Sequence, residues 1–403
     1  MYYRRRKRKS FFYRYRIWLL GGGTAALALV VALIAVLTRA GTDRTEDDAL
    51  MAMSRVTLPP MMEASAEPES VPVSEATFVP TAEPTQLPTP QPVQSRVNSR
   101  AGNRPEAEEG FLPVFKCADT DEKIIAITVD DCFQADNLEQ IIQLALDYDG
   151  KLTIFPIGEQ AMRSKQAQIL KAAWEAGMEL ENHTYTHNGL YRCTDERLAK
   201  EIYMQNYALS YILGGQYECH FLRPMGGDAR NDQRIHAYIN QLGYRGIAHW
   251  SKLGTSQKQL KDITSGDIYL FHTTDTDLEI LRKFIPAVAA MGYRMVTLNE
   301  MFGYEDNAFT PMEIPKVMPE IPQLEPYETV LVELDKGTHA YAVLTLQARL
   351  KELGYQDGKP DGIYGDGTVE AVKAFQRKAG LKADGIAGVE TQTAIYAQDA
   401  PRK

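Results

Sequence analysis

Cysteine is scarce in this 403-residue chain: Cys117, Cys132, Cys193 and Cys219 are all it has. That is too few for a disulfide scaffold, and without a CxxC pair there is no zinc-ribbon signature. A basic face is missing as well. The net charge is −9, yet residues 1–16 hold eight Lys or Arg and no acid, which leaves −17 on the remainder. Phosphate backbones need a Lys/Arg surface, so nucleic acid is excluded as the main ligand. Long uncharged runs are absent with one exception, Ile17 to Thr38. From 39 to 112 aromatics almost disappear while ten of the 21 prolines accumulate. A segment of that composition lacks the apolar surface to build a core.

The rest of the composition is that of folded protein, with 44% hydrophobic and 9% aromatic residues. The length is about twice what one core usually organises, so two or more units are expected. Residues 17–38 are long enough as a helix to cross a bilayer. The basic 1–16 tail with Tyr13, Tyr15 and Trp18 places the N-terminus in the cytoplasm by the positive-inside bias. Everything beyond residue 40 is then expected outside the membrane; the alternative, a cleaved signal peptide, calls for a shorter apolar region. Residues 39–112 read as a disordered Pro-rich stalk.

Beyond it, apolar strand-like runs such as Ile124 to Val129, Ile268 to Phe271 and Tyr293 to Leu298 alternate with helical stretches such as Leu138 to Tyr148 and Lys165 to Ala176. That alternation is the pattern of an α/β domain, drawn as 113–305. A second Pro-rich linker, 306–328, leads to a small module, 329–398, in which Asp361-Gly362-Ile363-Tyr364-Gly365 is echoed by Asp384-Gly385-Ile386-Ala387-Gly388. Val343, Leu346, Leu350 and Leu353, and then Val369, Val372 and Phe375, form apolar helical faces around the first copy, which are core and not a ligand stripe.

Three patterns in the central domain carry chemistry. Thr128-Val129-Asp130-Asp131 puts two carboxylates directly after an apolar run, where a barrel holds its functional groups; alone, it also fits an acidic turn or a helix cap. His183-Thr184-Tyr185-Thr186-His187 spaces two histidines as one helical turn would to put both on one face. Leu270-Phe271-His272 sets an imidazole at the end of another strand-like run, a position that is usually structural when it stands alone.

In this order the three, with Arg223-Pro224-Met225-Gly226-Gly227, resemble the motifs of the polysaccharide deacetylases, the carbohydrate esterases that share the NodB homology domain. Thr128 to Cys132 stands for TFDDG, His183 to His187 for HTxxH, Arg223 to Gly227 for RxPxG, and Leu270 to His272 for LxH. The resemblance covers about 190 residues and implies a distorted (β/α) barrel. It implies that Asp131, His183 and His187 bind a divalent metal, usually zinc, and the chemistry agrees: two imidazoles and a carboxylate leave positions open for water and a carbonyl. The same donor set also suits non-haem iron. By the same resemblance Asp130 is the catalytic base, Arg223 holds it, and His272 is the general acid for the leaving amine. Met225, Gly226, Trp250 and Leu270 are the expected substrate-pocket residues.

The sequence departs from the family pattern at Cys132 for glycine, Val129 for Phe and Met225 for proline, and no Asp stands near Trp250 where the family places one that tunes the catalytic histidine. A Cys132–Cys193 disulfide is expected from the extracellular setting. Residues 329–398 resemble the type-1 peptidoglycan-binding domain, a three-helix bundle, which implies a non-catalytic wall tether. The expectation is therefore a membrane-anchored, extracellular hydrolase that removes acetyl groups from peptidoglycan or a related N-acetylhexosamine glycan in a Gram-positive-type bacterium. The alternatives are an inactive wall-glycan binder and an esterase or deacetylase of another glycan.

Overall fold

A computed structural model describes residues 100–228, 230–254, 262–317 and 319–403. The basic tail, the expected membrane span and the stalk up to residue 99 lie outside the described residues. Among those described, no helix is long and apolar enough to cross a membrane.

The α/β domain runs through β1 (Val114–Phe115), β2 (Ile124–Asp131), α1 (Ala135–Asp147), β3 (Leu152–Pro156), α2 (Gly158–Ala161), α3 (Ser164–Glu175), β4 (Glu179–Leu180), α4 (Asp195–Leu213), β5 (Gly215–Tyr217), β6 (Phe221–Leu222), α5 (Gln233–Gln241), β7 (Gly246–Ala248), β8 (Lys252–Leu253), β9 (Ile268–His272), α6 (Asp275–Ala290), β10 (Arg294–Met295), α7 (Leu298–Met301) and β11 (Phe309–Pro311). Apart from the antiparallel β5–β11 pair, the ladders are parallel. They follow one another in an open ring: β2 on β3, β3 on β4, a bridge from Asn182 to Leu222 and β6 on β7, with no ladder from β7 to β8 among the described residues, then β8 on β9 and β9 back on β2.

Ile124 to Asp130 is buried throughout, as a central strand covered on both faces must be. Helix α1 turns Leu138, Ile141, Ile142 and Ala145 to that core, and Thr194 caps α4 by accepting from Arg197 N–H. Because the ring strands are parallel, their C-terminal ends gather at one face, where barrels of this kind collect function.

Two boundaries shift from the composition-based expectation. Residues 100–112 were assigned to the stalk, but Arg100 is buried against Glu122 and Glu300, and Asn103 and Arg104 bond the carbonyls of Met301 and Phe302. The 306–328 linker is also bound down, with Tyr238 donating to Pro322 O and Gln241 to Gln323 O. The strand expected over Tyr293 to Leu298 is only Arg294–Met295, because Thr297 caps the start of α7 by accepting from Glu300 N–H.

The C-terminal module consists of α8 (Tyr341–Glu352), α9 (Asp366–Ala379) and α10 (Val389–Tyr396) around Leu346, Leu350, Val372, Phe375 and Ile395. Its sequence echo is an echo of hydrogen bonds. Buried Gln347 donates to Asp361, Ile363 O and Thr368 and accepts from Asp361 and Gly362 N–H. Buried Gln376 donates to Asp384, Ile386 O and Thr391 and accepts from Gly385 N–H. Each Asp-Gly loop is thus closed by a glutamine reaching in from a helix.

Candidate active site

Alternation along β2 puts Thr128 and Asp130 on one face, and the next residue, Asp131, turns out of the strand at a left-handed φ of 69°. Register then places the partners: Asp130 lies opposite Phe155 of β3 and His272 of β9. Arg223, the residue after β6, is fully buried, and its Nη1 donates to Asp130 Oδ1 and to Thr128 Oγ1, both at 2.7 Å. Its Nη2 donates to His249 O at 3.1 Å and its guanidinium covers the Phe155 ring at 4.1 Å. Burial pulls the guanidinium pKa down, and the Asp130 carboxylate opposes that pull. With the arginine held on four sides, one Asp130 oxygen is fixed and Oδ2 faces His183, 3.7 Å from its Nε2.

The two motif histidines meet through a loop and not along a helix, which corrects the expectation from their spacing. Thr184 and His187 both have left-handed φ angles, 64° and 61°, which no α-helix accommodates. Asn182 accepts from Thr184 N–H at 2.9 Å, Thr184 from His187 N–H at 3.1 Å, and buried Glu201 from Thr186 N–H at 2.8 Å. His183 Nδ1 lies 2.6 Å from Arg223 O. A carbonyl only accepts, so the proton sits on Nδ1 and Nε2 presents its lone pair. His183 Nε2 and His187 Nε2 stand 3.3 and 3.4 Å from Asp131 Oδ1. That oxygen is buried and has no hydrogen-bond partner. The three ligand atoms lie within 4.8 Å of one another. An orphaned carboxylate oxygen between two imidazole nitrogens fits a divalent cation, and the two neighbouring histidines already hold the Asp131 pKa down against its burial.

His272 stands across Asp130 at the end of β9, half-exposed, and its pKa is raised above the ordinary histidine value. The main cause is Asp277, whose Oδ2 lies 3.5 Å from His272 Nδ1 and also accepts the His272 N–H at 2.8 Å. Asp277 takes the tuning role for which no Asp was found near Trp250. Its signal was present in the sequence as Thr274-x-x-Asp277, a cap at the start of α6, where Thr274 accepts from Asp277 N–H. Glu201 is the other residue missed: an acid inside a long helix gives no sign in sequence that it buckles a distant loop.

Of the expected pocket residues, Gly226 sits at φ 65° just after Arg223, and Met225 approaches Gly189, two residues beyond His187. Gly227 is obligatory, since a Cβ there would lie 2.8 Å from the His249 and Trp250 rings. Trp250 stacks on His249 at 4.2 Å. Leu270 is buried on β9, opposite Thr128. The expected Cys132–Cys193 disulfide is not formed, and all four cysteines are free. Cys132 points into the main core, where burial pushes its thiol pKa up, and its φ of 63° is one that the family's glycine adopts without strain. Cys193 Sγ turns instead to Gly189 O at 3.7 Å.

Residues 118–247 match the family model for polysaccharide deacetylases, and residues 339–395 match that for a peptidoglycan binding domain. A peptidoglycan-N-acetylglucosamine deacetylase of Bacillus cereus is 28% identical over 204 residues, covering 46% of this chain and 90% of the relative. A spore cortex-lytic enzyme of Bacillus cereus is 44% identical over 59 residues, 15% of this chain and 23% of its own. Among solved structures, a CE4 family pseudoenzyme from Bacillus anthracis aligns at 18% identity and a TM-score of 0.42 over 47% of this chain and 68% of its own.

Proposed function

The chain carries a polysaccharide deacetylase domain and a peptidoglycan binding domain, and from that premise we propose that it hydrolyses the acetamide of N-acetylhexosamines in peptidoglycan, releasing acetate and leaving a free amine. The observation that carries this reading is the orphaned Asp131 Oδ1 between two imidazole nitrogens, with a clamped carboxylate on one side and an imidazole across the strand. Asp131, His183 and His187 are the residues that would hold a divalent cation, zinc by its donor set, and the ion supplies Lewis-acid polarisation of the acetamide and a lowered pKa for the attacking water.

The chain's own groups do the rest. Asp130 has one oxygen tied by Arg223 and the other, Oδ2, turned to His183 beside the ligand set, so it accepts the proton of the attacking water. Arg223 does not touch substrate; its bond to Oδ1 holds that carboxylate in place. His272, whose pKa the Asp277 carboxylate raises, gives its proton to the departing nitrogen as the C–N bond breaks. In the loop after Arg223, Gly227 and Asp228 N–H bond back to Pro224 O and Met225 O, which leaves a backbone N–H of Met225 or Gly226 as the donor for the developing negative charge. The uncharged 17–38 run supports an anchor that holds both domains outside a cell membrane.

The assignment of roles is tested by separating metal from chemistry. Asp131→Ala and His183→Ala are expected to lose bound zinc and acetate release together, whereas Asp130→Ala keeps zinc by elemental analysis and loses release. Equal metal loss in all three variants contradicts the separation of base from ligand.

A further inference from the structure

The peptidoglycan-binding module is not held by a loose connector. Arg234 of α5 is buried under the Tyr341 ring at 3.7 Å, and Asp232 accepts the Tyr341 N–H at 3.0 Å. The Gln233 side chain pairs with both backbone groups of Val330, and Ile363 of the module packs on the core of the α/β domain. A module on a flexible tether raises local concentration only, whereas a docked one fixes direction and register.

The docking face is made by the two loops that follow the catalytic motifs. Tyr191, four residues after His187, meets Gly362 of the module so closely that a Cβ there would lie 2.9 Å from its ring, and it faces the His339 ring at 5.4 Å. Asp228, five residues after Arg223, reaches His339 with its Oδ2 2.9 Å from Nδ1, and its carboxylate lies over Gly226. Between the loop after Arg223 and the module's first turn is a cleft of about 310 Å³, lined by Asp228, Arg230 and Asn231 from one side and Asp335, Lys336 and His339 from the other. That volume is in the range of small-ligand sites. His339 Nδ1 is buried and lies against the Asp228 carboxylate, so the two walls of the cleft are joined at its base.

We propose that this junction cleft is a glycan subsite shared by the two domains, which binds a sugar of the strand whose neighbour is being deacetylated. The inference rests on the deacetylase reading above. A sugar within a polymer has covalent neighbours on both sides, and they must lie along the surface next to the reacting position. The lining of the cleft begins five residues after Arg223, and His339 in its wall faces Tyr191, four residues after His187. Its lining offers cations, carboxylates, an amide and an imidazole, and so meets hydroxyl and acetamido groups, which both donate and accept. A purely anionic or apolar ligand would leave half of these groups unpaired. The module is thereby a wall of the substrate site, and the docked linker is what sets its register.

The test uses the full chain loaded with zinc and β-1,4-linked N-acetylglucosamine oligomers of two and six sugars. Asn231 and Lys336 are exposed, so Asn231→Trp fills the cleft and Lys336→Glu reverses a lining charge without removing a core contact. In the unaltered chain, kcat/KM for the six-sugar oligomer should exceed that for the two-sugar one by about tenfold, and Asn231→Trp should bring the ratio to within about twofold of unity, with Lys336→Glu between them. A ratio unchanged by both variants, with melting temperature retained, overturns the shared subsite. If the unaltered chain releases no acetate from either oligomer, the deacetylase reading fails by itself. Calorimetric binding of the six-sugar oligomer then decides the cleft: weakening in Asn231→Trp supports it, and equal affinity overturns it.

Discussion

In the C-terminal module the groups that close each loop are near one another in sequence, Gln347 reaching Thr368 over 21 positions, whereas in the α/β domain Arg223 meets Asp130 across 93. The module is built from a local motif used twice, and its interactions can be lost one copy at a time. The active site exists only when β2 pairs with β9 in register and Arg223, after β6, reaches β2, so a single buried contact holds several elements at once. Nonlocal, charged and fully buried interactions are therefore where the largest losses are expected, and local neutral ones should cost less.

Replacing Arg223 with Ala should be the most damaging change, about 3–5 kcal/mol of stability, because it strands the Asp130 charge in the interior. Denaturant unfolding measures it, and the same change in an Asp130→Asn background should cost clearly less, since no charge is then left unpaired. If the two costs are equal, the ion pair is not what joins the strands. In the module, Gln347→Ala and Gln376→Ala should each cost about 2 kcal/mol for the buried groups they leave unsatisfied. Gln347 should cost more, because its Oε1 accepts from two backbone N–H groups and that of Gln376 from one. The reverse order would show that the copies are not equivalent devices.

A smaller effect is expected at Asp277. Its carboxylate is the main reason the His272 pKa stands above the ordinary value. A general acid must carry its proton, so activity falls as pH rises through that pKa. Asp277→Asn lowers the pKa and should move the alkaline limb of the rate profile to lower pH, with the acidic limb left in place. An unmoved alkaline limb would remove His272 from the acid role or Asp277 from its support. The smallest effect concerns the thiols. In the native protein a polar alkylating reagent should modify exposed Cys117 first, Cys193 slowly with its pKa pushed up to about 11, and buried Cys132 and Cys219 only on unfolding. Intact mass without reductant should show four free thiols.

The sequence marked the candidate site residues because each belongs to a short motif, and the parallel register of β2 and β9 sets Asp130 opposite His272. Two helices of the module were legible from the 3.6-residue spacing of Leu346, Leu350, Val372 and Phe375, and the third only from the resemblance. Other features were hidden for definite reasons. The i, i+4 spacing of His183 and His187 was read as helical, but left-handed backbone at Thr184 and His187 is set by Asn182 and by Glu201, and no local pattern announces a side chain arriving from another helix. Asp277 was missed, since its contact with His272 depends on β9 ending beside α6. The docked module was invisible because Arg234–Tyr341 and Asp228–His339 join separate domains, and composition sees a Pro-rich connector without seeing what it lies against.

The measurement that bears most directly on the central claim is acetate released from isolated peptidoglycan by the zinc-loaded full chain, run beside Asp130→Ala. Release by the unaltered chain and none by the variant, with equal zinc in both, is the predicted result. Equal release by the two proteins, or none from a folded and zinc-loaded unaltered chain, would contradict the account.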